Sequence, residues 1–325
     1  MEFLYKMARI YLIDAGEIQE GDVNIEYNPH NRIILTPEMR DEKEVLDLTC
    51  TPGEMYNIRT MGVKNRKLHL AADFIDYTQH LAHARVGLTN RGLISPEFNA
   101  FCTESVDITS DGLLIALRRD KDLPHGPGIY TGAGGYGVHF RGRKDITGRV
   151  IPIDRKNPYD LIRFYINREL EVPEDSFQLS WLGMAKCFDL SFDLPVNFTA
   201  YMNQSSDDIM KLRRENKRLE GVVLDDMINF IENSPEGILN FLLFSGVPQR
   251  KLPLDSCGRR FGENPITGKL GFNDDFIAVI LQHIKKNHPE SYFPAMAILQ
   301  KKGYEIIDVK LKEGKSLDLT REILP

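Results

Sequence analysis

Residues 157–173 read NPYDLIRFYINRELEVP, and this stretch predicts the clearest helix in the chain. Asn157 has a short side chain suited to accept a hydrogen bond from the first free amides of a helix. Pro158 suits the first helical position, where its missing N–H is not needed. Asp160 sets a negative charge at the positive end of the helix dipole. Ile162, Tyr165, Ile166 and Leu170 recur at the spacing of one helical face, which marks a side that packs on a core. Pro173 ends the run.

Upstream, FCTESVDITSDGLLIALRRD (101–120) is two apolar runs split by Ser110-Asp111-Gly112, a hairpin signal. DLPHGPGIYTGAGGYGVHF (122–140) follows, dense in glycine and proline, and predicts a loop or a loop–strand–loop. Downstream, residues 180–204 alternate as one or two strands, and residues 211–221 predict a solvated charged helix. VVLDDMINFIEN (222–233) predicts a strand passing into a helix. Residues 234–272, rich in glycine and proline, are expected to be an insertion or lid. Asn273-Asp274-Asp275 then caps an amphipathic helix, with Lys285 and Lys286 at its negative end. YEIIDVKLK (304–312) predicts a late strand. Before the hairpin, residues 8–13 and 32–37 predict strands, residues 46–62 alternate and then turn, and residues 67–88 leave strand and short helix open. The expected organisation is an N-terminal accessory α+β domain over 1–95, then a second domain over 96–325 interrupted around 234–272.

The chain has 325 residues, 42% hydrophobic and 27% charged, which is ordinary globular composition. A net charge of −6 argues against nucleic acid as a partner. Four cysteines, Cys50, Cys102, Cys187 and Cys257, lie far apart without a CxxC pair. They predict reduced thiols rather than a disulfide framework or a structural zinc site. The N-terminal apolar stretch is broken by Glu2, Lys6, Arg9 and Asp14, and no apolar run reaches membrane-spanning length. A cytoplasmic chain with no membrane partner is expected, and a homodimer is left open.

The order hairpin, Gly-Gly loop, helix, strand resembles the Nudix superfamily over residues 86–232. Leu113–Arg119 look like the strand before its loop. Pro127-Gly128-Ile129-Tyr130 and Ala133-Gly134-Gly135 look like the approach to its metal-binding box. Arg168-Glu169-Leu170-Glu171-Val172-Pro173 look like the end of its box helix, and Leu182-Gly183-Met184-Ala185 like the next strand. Ala84-Arg85-Val86-Gly87-Leu88-Thr89, with an N-terminal domain, is similar to a UDP-sugar-hydrolysing branch. The resemblance implies an α+β fold, a mixed β-sheet/α sandwich. It also implies a nucleotide-type small molecule as ligand, and Mg²⁺ or Mn²⁺ held by glutamates at i, i+3 and i+4 of the box helix. Such a metal bridges a diphosphate while water attacks phosphorus.

This chain departs from that box. Anchored on Val172-Pro173, the three glutamate positions fall on Tyr165, Arg168 and Glu169, the box arginine on Phe164, and the last glycine on Glu171. The early glutamate falls on Arg141. The alternative register places Pro173 inside the helix and is rejected. Glu169 is therefore the one metal ligand carried over, set against a surface glutamate paired with a neighbouring cation. Asp189, Asp193 and Glu220 are candidates for replacement ligands or a general base, against turn and loop acids. Arg168 replaces an acid and is a candidate diphosphate contact, since guanidinium matches phosphate geometry. Arg141 and Arg143 are lesser candidates of the same kind. Gly132, Gly134 and Gly135 either bring amides to a phosphate or form a tight turn. Tyr130 and His139 are candidates for base or sugar contact, with Tyr130 also suited to the core. His80 and His83 stand at i, i+3 without a third ligand nearby and read as ordinary histidines. Three functions stay open: a metal-dependent pyrophosphohydrolase acting on a nucleoside diphosphate-linked compound, a Nudix-like nucleotide-binding or regulatory protein without hydrolysis, or a purely structural use of the fold in a larger assembly.

Overall fold

The Asp-Gly hairpin forms. Gly112 takes a φ of +81°, and Ile108 and Asp107 on one arm pair with Leu114 and Ile115 on the other. It belongs to a computed structural model that describes residues 8–28, 33–48, 53–89, 97–119, 129–136, 138–144, 150–154, 157–187, 193–216, 227–244 and 272–321. Among the described residues the elements begin β1 (Ala8–Asp14), β2 (Val23–Tyr27), α1 (Pro37–Asp47), β3 (Glu54–Lys64), β4 (Lys67–Asp76) and α2 (Tyr77–Thr89). They continue through β5 (Ala100–Ile108), β6 (Leu113–Arg118), β7 (Tyr130–Thr131), β8 (Ala133–Tyr136), β9 (Val138–Lys144), β10 (Val150–Asp154) and α3 (Pro158–Leu170). Next come β11 (Phe177–Cys187), β12 (Asp193–Met202), α4 (Ser206–Asn216), β13 (Met227–Glu232) and α5 (Pro235–Phe244). The last are α6 (Asp274–Asn287), α7 (Tyr292–Lys302), β14 (Tyr304–Lys310) and β15 (Ser316–Asp318).

The fold is α+β, built on a mixed sheet whose main path runs β10-β9-β3-β5-β12-β11-β1-β14. β5 is its centre. One edge pairs in parallel with β12 along its whole length. The other edge is shared in succession by β3 at Ala100, β8 at Cys102–Ser105 and β6 at Asp107–Ile108. Helices cover both faces. Leu161, Ile162, Ile166 and Leu170 of α3 pack with Phe101, Val196 and Phe198. Phe276, Ile277 and Ile280 of α6 pack with Ile10, Val106, Ile108 and Ala185. All nine residues of β5 are buried, as expected of a strand covered on both sides.

β1 lies between antiparallel β11 and parallel β14. Strands from both sides of residue 96 thus share one sheet. The helix over 157–171 forms where the sequence puts it, α6 starts after Asn273 although the Asn273 side chain makes no capping hydrogen bond, and residues 180–204 resolve into two strands.

Several local expectations change. Residues 33–36 are not strand: Thr36 accepts a hydrogen bond from the Met39 amide and Pro37 opens α1, so the Thr-Pro pair starts a helix. MINFIE stays extended as β13 because it pairs with β6 along its length. The segment expected as a lid starts with α5, and residues 245–271 lie outside the described set. α6 is amphipathic as expected but is buried continuously from Asp274 to Ile284, its polar residues Asp274, Asp275, Gln282 and His283 included. Of the two readings of the glycine stretch, the one with a strand holds, because β8 fills the gap along β5 between β3 and β6.

Candidate functional site

The α3 end of the molecule gathers several of the residues that the sequence singles out. Asn157 Oδ1 accepts the Tyr159 amide at 2.9 Å and starts the helix. Glu171 ends it with a φ of +61°, its amide donating to Asn167 O. This is the left-handed conformation that favours glycine, at the position aligned with the family's last glycine. Arg168 Nε lies 3.7 Å from Glu169 Oε1, the two side chains 47% and 17% exposed. Arg213 of α4 donates to the Glu169 carbonyl and ties the two helices together. Tyr165 turns its ring onto β8, where a Cβ on Gly135 would overlap it.

Gly132 and Gly134 face the other way. A Cβ on either would collide with the Glu104 carboxylate and the β5 backbone. Glu104 Oε1 accepts the Gly132 amide at 2.6 Å and the Thr131 hydroxyl at 3.1 Å. Burial outweighs these donors and pushes the Glu104 carboxyl up to about 8. On the α3 face of β5, Ser105 Oγ donates to Asp107 Oδ1 at 2.7 Å, and burial raises Asp107 to about 7. The glycines are therefore bound up with a buried acid and a ladder rather than with an open amide cradle.

Beyond Glu104, towards the first turn of α6, lies a buried group of thiols, acids and bases. Cys102 Sγ is 4.0 Å from Asp275 Oδ2, and Cys187 also interacts with Asp275. Burial, then the charges of Asp193 and Glu104, push the Asp275 carboxyl well up. Both thiols are pushed up as well, first by burial and then by Asp275. Asp193 opens β12 at 2% exposure, so it is a core acid rather than a turn acid. His80 Nε2 lies 3.2 Å from Asp193 Oδ1. Lys186 Nζ donates to Phe98 O at 2.7 Å, and burial brings its ammonium down to about 7. His83 stacks on Phe98, with ring centroids 3.9 Å apart, and burial holds it neutral.

The structure does not bring all the predicted residues together. Among the described residues, no cluster of three metal-ligating side chains includes Glu169; the one cluster is Cys102, Asp193 and Asp275. Tyr130 is 8% exposed and packs on Phe241 and Phe272, as a core residue does. Asp189 and Glu220 lie outside the described residues, as do the side chains of His139, Arg141 and Arg143. An open cleft of about 330 Å³ is lined by Asp14, Trp181, Lys285, Lys286 and Asp308 and holds none of the predicted residues. Sequence reasoning did not find Glu104, Lys186 or the role of Asp275. The available signal was a glutamate inside an apolar strand, followed by a second acid three residues on.

No protein-family model matches this chain, and no curated protein does. Among solved structures, the DR0079 protein from Deinococcus radiodurans is similar at 12% identity and a TM-score of 0.30, over 57% of this chain and 81% of that one. The MutT protein from Methanosarcina mazei Go1 is similar at 14% identity and a TM-score of 0.26, over 44% of this chain and 81% of that one. Likeness this slight carries no argument. Among the described residues, no helix is long and apolar enough to cross a membrane.

Proposed function

We propose that this chain is a Nudix-like nucleotide-binding protein that takes a nucleoside diphosphate-linked compound without hydrolysing it at α3. The observation that carries this reading is the Tyr165 ring lying against Gly135. In the resembled family that helix position holds a metal-binding glutamate; here it is used for packing. Arg168 occupies the next such position and stands beside Glu169. Mg²⁺ needs several hard oxygen ligands, so the described residues of α3 do not fit such an ion. A half-exposed guanidinium instead suits a diphosphate oxygen. Arg168 is accordingly the proposed phosphate contact.

The experiment is a thermal-shift panel of UDP-sugars, ADP-ribose and dinucleoside polyphosphates, with and without Mg²⁺ or Mn²⁺, run beside assays for released phosphate and nucleotide. The expected result is stabilisation by one ligand class without turnover, reduced in Arg168→Ala. Metal-dependent turnover abolished by Glu169→Gln would overturn it in favour of a pyrophosphohydrolase using Glu169 with Asp189 and Glu220. No shift with any member of the panel would sink the nucleotide reading itself.

A further inference from the structure

On the sheet face opposite α3, three segments distant in sequence bring one thiol and two carboxylates together. Cys102 comes from the middle of β5, Asp193 from the first position of β12, and Asp275 from the first turn of α6. One ligand atom from each lies within 4.8 Å of the other two. All three residues are buried, at 3%, 2% and 4% exposure. We propose that Cys102, Asp193 and Asp275 form a binding site for a borderline first-row divalent cation of the zinc class.

The spacing supports it. Zinc bonds of about 2.3 Å to sulfur and 2.0 Å to oxygen, at a tetrahedral angle, set the two ligand atoms roughly 3.5 Å apart. Cys102 Sγ and Asp275 Oδ2 stand at 4.0 Å, so a shift of about half an ångström closes the site. A second observation points the same way. Asp275 Oδ1 is buried without a hydrogen-bond partner among the described residues. Buried carboxylate oxygens are normally satisfied, and metal coordination is one of the ways in which a buried charge is held. Ligating carboxylates are in turn oriented by outer groups, and His80 Nε2, 3.2 Å from Asp193 Oδ1, is placed for that task.

The donor set selects the ion. A thiolate is a poor ligand for Mg²⁺ or Ca²⁺, and two carboxylates disfavour a purely soft ion such as Cu⁺. Three protein ligands leave a fourth position for water or a ligand group, as in open zinc sites. The competing arrangement is metal-free: the two acids share a proton and Lys186 supplies the nearby positive charge. This site is distinct from α3, so it and the nucleotide reading stand or fall separately.

The test uses the full chain, stripped with a chelator and titrated with Co²⁺. The expected result is one equivalent bound, with the visible absorption of a tetrahedral site and a thiolate-to-cobalt charge-transfer band. Zn²⁺ should displace both signals and raise the melting temperature. Cys102→Ser is expected to lose the charge-transfer band, and His80→Ala to weaken affinity by about 10–100-fold. Failure of the unmodified chain to bind Co²⁺, or a purely octahedral spectrum that Cys102→Ser leaves unchanged, overturns the proposal. Because the unmodified chain decides the first question, a variant that fails to fold does not obscure the answer.

Discussion

At Gly135 one missing methyl group decides how close a helix can come to a strand. The Tyr165 ring occupies the space that a Cβ would need. Gly135→Ala is expected to lose about 1–3 kcal/mol in denaturant unfolding, as overpacked sites do. Replacing Tyr165 by Leu in the same chain should recover part of that loss; an unaffected single variant would show that the ring does not press on the strand. Asp107 supplies a second residue-scale prediction. Its folded value of about 7 lies above the ordinary 3.8, so the folded chain keeps the proton across that window. The stability this group contributes is complete below 3.8 and is lost as pH rises to about 7, with a slope of at most about 1.4 kcal/mol per pH unit. Asp107→Asn still accepts from Ser105 and cannot ionise, so its stability should depend less on pH across that range. Neither Glu104 nor Asp107 was legible as a buried acid. Alternation along a strand says that one side differs from the other, but not that helices from 157–170 and 274–287 cover both.

At the level of elements, legibility followed local chemistry. Asn157-Pro158, Asp111-Gly112 and Asn273 carry their own start or turn signals, and those elements form where those residues put them. β8 and β13 are set by the strands they pair with, far away in sequence, so the local residues left loop against strand open at β8 and placed the end of the strand too early at β13. The helix ends of α3 can be tested directly. Asn157→Ala should cost about 1 kcal/mol through the lost cap. Glu171→Gly should raise stability by up to about 1 kcal/mol, since glycine accepts the left-handed φ at less cost than glutamate. A loss at Glu171→Gly would mean that the carboxylate does more than end the helix.

Across the whole molecule, the α+β class was legible through the family resemblance that the order of strand and helix signals carries. The way the sheet closes was not, because parallel pairing between the two ends of the chain leaves no local mark. Ile10 is fully buried between Cys187 and Ile306. Ile10→Ala is expected to cost about 2–5 kcal/mol, measured by equilibrium unfolding; a cost near zero would place β1 outside the core. The same strand sets a timetable for synthesis. Arg9 and its partner Glu305 are 296 residues apart, so β1 leaves the ribosome roughly 15–60 s before β14 at ordinary translation speeds. Until then, one edge of a strand with five apolar residues in seven stands open to stray pairing. Chains stalled before residue 304 should therefore hold residues 8–14 in a protease-sensitive, chaperone-bound form, and release of β14 should close them.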